Sequence, residues 1–197
     1  MTRTRTQQLE GAFFLVAFVA TIFAANWLIT NWGTIRFDPD GPWMIPVWPA
    51  ALTPASATIY APSGVLAIGL GFTLRDLVQR RLGVRWAVVA ITAGTTLSLL
   101  LDPTLALASA ASFLLAETLD LAVYTPLQRR NLAGAVLASN VVGIIADSLA
   151  FLFIAFGSLA FLEGQVIGKA WMTLVALPLI LAIRRWDVSR GMPAYAA

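Results

Sequence analysis

Residues 132–156 read LAGAVLASNVVGIIADSLAFLFIAF, and Asp147 is the single ionisable side chain among them. A helix of this length, at about 1.5 Å per residue, exceeds the ~30 Å hydrocarbon core of a bilayer. Lipid supplies no partner for backbone polar groups, so a long continuous apolar run that crosses it must satisfy itself as a helix. Comparable runs occupy residues 11–29, 62–80, 86–101, 103–124 and 166–183. The expectation is an all-α fold in a single domain, 1–197, an integral membrane bundle of six transmembrane helices. Composition supports it: 12% of the residues are charged, about half the share of a soluble domain.

The punctuation of the chain agrees with these limits. A basic start before residues 11–29 could also belong to a cleaved signal peptide. The run is too long for a signal core, however, and its end at Asn26 and Trp27 suits an interfacial anchor. Pro62 fits the first turn of the second helix, as Asp102 and Pro103 fit the N-cap and first turn of the fourth. Thr125 and Pro126 end the fourth, and residues 157–165 form a brief connector to the sixth. Residues 31–57 hold five prolines and three tryptophans, which forbids a continuous helix and favours the headgroup layer. They read as an interfacial loop, either a connector or a lid, with a turn at Asp38-Pro-Asp-Gly.

Orientation follows from the arginines. With the N-terminus inside, Arg3, Arg5, Arg80, Arg81, Arg85, Arg129, Arg130, Arg184, Arg185 and Arg190 fall on one side, against Arg36 and Lys169 on the other. The positive-inside rule then makes both termini cytoplasmic, and the expected location is the cell (inner) membrane. That asymmetry also accounts for the net charge of +3 without a nucleic-acid partner. The chain has no cysteine and no histidine, which removes Ser-His and Cys-His catalysis and most transition-metal sites. No catalytic residue, metal site or cofactor is expected, and the protein is read as no enzyme.

Carboxylates inside the apolar runs carry the functional argument. One at helix centre costs roughly 2.5–3.5 kcal/mol, so such groups face a protein interior or a wet cavity. Glu117, Asp120 and Tyr124 follow i, i+3, i+7 spacing on one face of the fourth helix, and Asn140 and Asp147 share a face of the fifth. The two faces should meet in a pocket rich in acceptors and poor in donors. Several positions have blander readings. Asp120 could be an interfacial partner of Arg75 or Arg129, Asn140 could bond backbone across the helix pair, and Tyr124 could be a belt residue. Arg75 either snorkels or reaches a carboxylate on another helix, and Asp76 could pair with Arg80 four residues on.

The run ASAASFLLAETLDLAVYTPLQRR, residues 108–130, resembles the fourth-helix signature of the queuosine precursor transporter family, also called the vitamin uptake transporter (VUT) family. SNVVGIIADSLAF, residues 139–151, is similar to its fifth-helix signature, and GVLAIGLGFTLRDLVQRRLG, residues 64–83, resembles its second helix. Many members carry a further glutamate and Tyr-Gly where this chain has Gln79-Arg80-Arg81-Leu82-Gly83. The resemblance implies import of a guanine-like 7-deazaguanine precursor, with Arg75, Asp76, Glu117, Asp120, Asn140 and Asp147 as substrate-binding positions. The alternative is a substrate-binding (S) subunit of an energy-coupling-factor importer, for which Ala20 and Ala24 supply a small-xxx-small docking spacing. Partners are then the small-molecule substrate and the lipid bilayer, with a second copy or ATPase and coupling subunits beside them. An intramembrane aspartyl enzyme and a purely structural protein are the remaining rivals.

Overall fold

The computed structural model describes residues 5–36, 38–39, 41–52, 57–101 and 106–191. Among them lie six helices: α1 (Arg5–Asn31), α2 (Val65–Leu82), α3 (Val84–Leu101), α4 (Ala106–Leu127), α5 (Leu132–Phe156) and α6 (Leu162–Ser189). Four of these, α1, α4, α5 and α6, are long and apolar enough to cross a membrane, while in α3 the apolar stretch is Val84–Leu97. Glycines in the left-handed region end two helices cheaply. Gly157 (φ 61°) donates to Phe153 O after α5, and Gly83 (φ 87°) donates to Gln79 O after α2. Gly83 alone separates α2 from α3, which lets the chain reverse at once.

The helix that lipid would tolerate least lies at the centre. α2 carries Arg75, Asp76, Arg80 and Arg81, yet fifteen of its eighteen residues are buried and none is exposed. It packs against each of the other five helices. Around it the usual order of a soluble protein is inverted. Val16 and Phe153 are each 70% exposed, whereas Arg75 and Asp76 are 0%. Outward apolar side chains and inward charges suit a surface bathed in hydrocarbon.

The proline-rich segment departs from the expected irregular loop. It forms a three-stranded antiparallel meander of β1 (Ile35–Arg36), β2 (Trp43–Trp48) and β3 (Ile59–Pro62). Pro62 therefore ends a strand, and α2 begins at Val65. Pro46 cannot donate to a ladder, and the β2–β3 register is irregular between Pro46 and Trp48. Ile45, Val47, Ala61 and Val65 form a small buried cluster beneath the sheet. Trp171 Nε1 donates to Val47 O at 3.0 Å, so the sheet is fastened to α6. Gly41 N donates to Asp38 O at 3.0 Å, as the expected turn requires. The Asp102 and Pro103 cap lies outside the described residues.

At the opposite end, where α1 begins and α6 finishes, α1, α2 and α6 are tied by charge. Arg80 Nε donates to Asp187 Oδ2 at 2.8 Å, and Arg81 reaches both Asp187 Oδ1 (2.8 Å) and Glu10 Oε2 (2.7 Å). Arg80 thus pairs with Asp187 on α6, and the expected pairing with Asp76 is not made. Lys169 also departs from expectation. It is wholly buried in α6 rather than lying outside, because α6 starts at Leu162 and places Lys169 two turns into the bundle.

The α2–α6 contact is close because Gly69 faces the backbone of Lys169. A Cβ at Gly69 would lie 2.6 Å from Lys169 O and 2.8 Å from its Cα. Gly69→Ala gains about 1 kcal/mol of helix propensity, but overpacking against unyielding backbone costs about 1–3 kcal/mol. A lower unfolding midpoint in detergent is the expected outcome, measured by thermal denaturation. An unchanged or raised midpoint would contradict this packing.

Candidate functional site

A cavity of about 140 Å³ lies in the half of the bundle nearer the sheet. α1 contributes Phe18, Thr21 and Asn26 to it, α2 and its N-cap contribute Gly64, Val65, Ile68 and Gly71, and α4 contributes Ser109, Ser112, Phe113 and Glu117. Asp147 and Phe151 of α5 and Gln165 of α6 complete the polar side. Small residues at Gly64, Gly71 and Ser109 leave the room. Thr21 Oγ1 donates to the helix backbone at Phe18 O (2.6 Å), and Asn26 Nδ2 gives one of its two N–H groups to Ile22 O (2.9 Å). Their side-chain oxygens remain as acceptors.

Directly beyond Glu117, one guanidinium gathers three carboxylates. Arg75 Nε donates to Glu117 Oε2 at 2.7 Å, Arg75 Nη1 meets Asp76 Oδ1 at 2.7 Å, and Arg75 Nη2 meets Asp120 Oδ1. Ser139 Oγ donates to Asp76 Oδ2 at 3.1 Å. The Tyr124 ring lies 5.9 Å from the guanidinium carbon. Tyr124 is fully buried among Leu132, Ala135, Val136, Ala176 and Ile180. That position rules out the belt-residue reading. Asp120 Oδ2 and the Tyr124 hydroxyl, both buried, have no hydrogen-bond partner among the described residues.

Asp147 has a cation of its own. Lys169 Nζ donates to Asp147 Oδ2 at 2.6 Å, to Ser148 Oγ at 2.8 Å and to Gln165 Oε1 at 2.8 Å. All three ammonium donors are therefore used, and α5 is locked to α6. Asn140 acts elsewhere: its Nδ2 donates to Thr73 Oγ1 and Thr173 Oγ1, each at 2.9 Å, bracing α5 against α2 and α6.

The six positions singled out from sequence thus divide. Arg75, Asp76, Glu117 and Asp120 meet in one buried cluster. Glu117 and Asp147 line the cavity, whereas Arg75, Asp76, Asp120 and Asn140 are not among its lining residues. The expected shortage of donors is corrected by Arg75 and Lys169. Each occupies one oxygen of a cavity carboxylate, and among the described residues no hydrogen bond engages Glu117 Oε1 or Asp147 Oδ1. Sequence reasoning passed over Lys169 and Gln165. The signal was available, since a lone lysine in the apolar segment after Gln165 is the same anomaly that drew notice to Asp147.

Residues 99–183 match the model of a family described as "Putative vitamin uptake transporter". The matched segment holds α4, α5 and most of α6, and with them Glu117, Asp120, Asn140, Asp147 and Lys169. No curated protein and no solved structure matches the chain. With four helices of spanning length, this similarity gives the class: a multi-pass membrane protein resembling uptake transporters of vitamin-like small molecules. The likeness is to transporters rather than enzymes, in line with the absence of a catalytic reading above.

Removing one partner of a buried ion pair strands the other charge, at roughly 3–5 kcal/mol. Asp147→Asn and Lys169→Met should each lower the unfolding midpoint in detergent. The double variant should recover at least half of the summed loss, because neither charge is then left alone. Additive losses in this thermal cycle would show that the two groups are not coupled.

Proposed function

We propose that this protein imports a small, flat, guanine-like molecule, a 7-deazaguanine queuosine precursor, across the cell membrane. The observation that carries the proposal is the convergence of Glu117 and Asp147 on one cavity. Their open oxygens suit a ligand edge that offers adjacent N–H groups, and Gln165 adds an amide beside them. Phe18, Phe113 and Phe151 supply aromatic and apolar wall for a planar ring. Arg75, Asp76 and Asp120 act behind this surface by fixing Glu117, and Asn140 by fixing the helices. All six helices are taken to span the bilayer, with both termini cytoplasmic. The end where α1 begins and α6 finishes also holds Arg85, Arg129, Arg130, Arg184 and Arg185, which favours that orientation.

A second reading keeps the ligand but assigns transport energy to partner subunits. Ala20 and Ala24 are exposed on α1, so their small-residue face is open to a neighbouring helix. Vesicles that contain this chain alone separate the two readings, because an energy-coupling-factor subunit transports nothing without its ATPase.

A hydrogen bond to a charged group contributes about 1.5–3 kcal/mol, and about 1.4 kcal/mol is a factor of ten in affinity. Glu117→Gln and Asp147→Asn should therefore each weaken uptake of labelled precursor roughly 10- to 100-fold at limiting substrate. Cells that cannot make the precursor provide the assay. Parental uptake by both variants would remove the carboxylate pair from the site.

A further inference from the structure

The charges around Arg75 do not balance. One guanidinium faces Asp76, Glu117 and Asp120, leaving two negative charges in the bundle interior if all three carboxylates are ionised. The remaining neighbours do not offset them. The polar side chains that α1 brings to the adjoining cavity are the uncharged Thr21 and Asn26, and α4 adds the Tyr124 hydroxyl. α5 adds Ser139, Asn140 and Asp147, and on α6 Lys169 is already committed to Asp147. Further along α2, Arg80 and Arg81 are held by Asp187 and Glu10.

Among the buried carboxylate oxygens of the cluster, hydrogen bonds and ion pairs together leave Asp120 Oδ2 without a partner. Both oxygens of Asp76 are engaged, by Arg75 and Ser139, and Glu117 gives Oε2 to Arg75 while its side chain meets the cavity. Asp120 is wholly buried, its Oδ1 meets Arg75, and its Oδ2 has no partner among the described residues. Space beside that oxygen exists because position 143 is glycine: a Cβ there would come within 3.1 Å of Asp120 Oδ2. A buried carboxylate oxygen with neither a hydrogen bond nor an ion pair among the described residues is a natural seat for a proton, which needs a single acceptor.

We infer that the Arg75 cluster is a proton-binding site that couples uptake to the proton gradient, with Asp120 as its seat and Glu117 as its link to the cavity. Glu117 belongs both to the cluster and to the cavity wall, so a proton arriving through the cavity reaches Asp120 by way of the carboxylate that also meets the ligand. Loading the proton removes one of the two excess charges before the bundle rearranges, and discharge on the cytoplasmic side restores it. Carboxylate chains inside membrane bundles carry protons in this manner. The inference rests on the import reading for its transport consequence, but proton binding by the cluster stands apart from substrate identity.

Two measurements on the full-length protein test it. In liposomes containing only this protein, an inward gradient of one pH unit should concentrate labelled precursor by up to about tenfold per proton moved. A protonophore should abolish the accumulation, and a sodium gradient should not replace it. Independently of any substrate, infrared difference spectra of the parent across a pH step should show a protonated-carboxyl band. Asp120→Asn should remove that band, and Asp187→Asn should keep it. Simple equilibration under the pH gradient, accumulation driven by sodium, or a carboxyl band unchanged in Asp120→Asn would each overturn the inference. Absence of precursor binding, with the band behaving as expected, would instead refute the substrate and leave the proton site standing.

Discussion

An arginine among lipid-facing helices must be paired, and Arg75 is where that requirement organises the bundle. Exposed to acyl chains, its guanidinium would cost several kilocalories per mole by any insertion scale. α2 therefore occupies the middle, and α4 turns Glu117 and Asp120 toward it. α5 adds Ser139 behind Asp76. The planar fork of arginine can serve three carboxylates from distinct nitrogens, which a lysine could not do with the same geometry. The apolar helices α1, α4, α5 and α6 then form the wrapper that a polar centre needs in a membrane.

A second charged layer lies nearer the chain termini, where Arg80, Arg81, Asp187, Glu10 and Arg190 join α1, α2 and α6. Between that layer and the sheet, the Arg75 cluster and the Lys169–Asp147 pair sit at the level where the cavity ends. One end of the bundle is thus tied together by ion pairs, and the cavity lies in the other half, beside the sheet. For the import proposed above, alternation between two openings would call on such unequal ends, with contacts that can be broken on one side. Paired buried charges serve this well, since they are specific in geometry while contributing little net stability.

Much of this was legible in the chain because the rule in lipid is severe. Charged residues are rare in spanning runs, so Glu117, Asp147 and Arg75 stood out by position alone. Their partners were harder to read. Whether Arg75 snorkels or crosses to α4 depends on how α2 is placed, and nothing local in residues 62–83 encodes its central position. Asp76 and Arg80 have ideal spacing for a pair, yet Asp76 pairs with the adjacent Arg75 and accepts from Ser139 of α5, while Arg80 pairs with Asp187 of α6. The prolines argued against a continuous helix in residues 31–57, and the described part holds none, but a strand with an irregular register tolerates Pro46 equally well.

The amino-acid order by itself determined the class of molecule and the helices it is made of, since apolar length and terminal glycines act locally. It also marked the ionisable groups that a bilayer would not accept unpaired. Only the tertiary structure decided which of those groups meet a cavity and which lie sealed behind it. Asp120 and Glu117 are one helical turn apart on the same face, and a single turn separates a carboxylate that lines open space from one enclosed between α2, α4 and α5. That distinction arises from neighbouring helices, whose approach is controlled by glycines such as Gly69 and Gly143 far away in sequence.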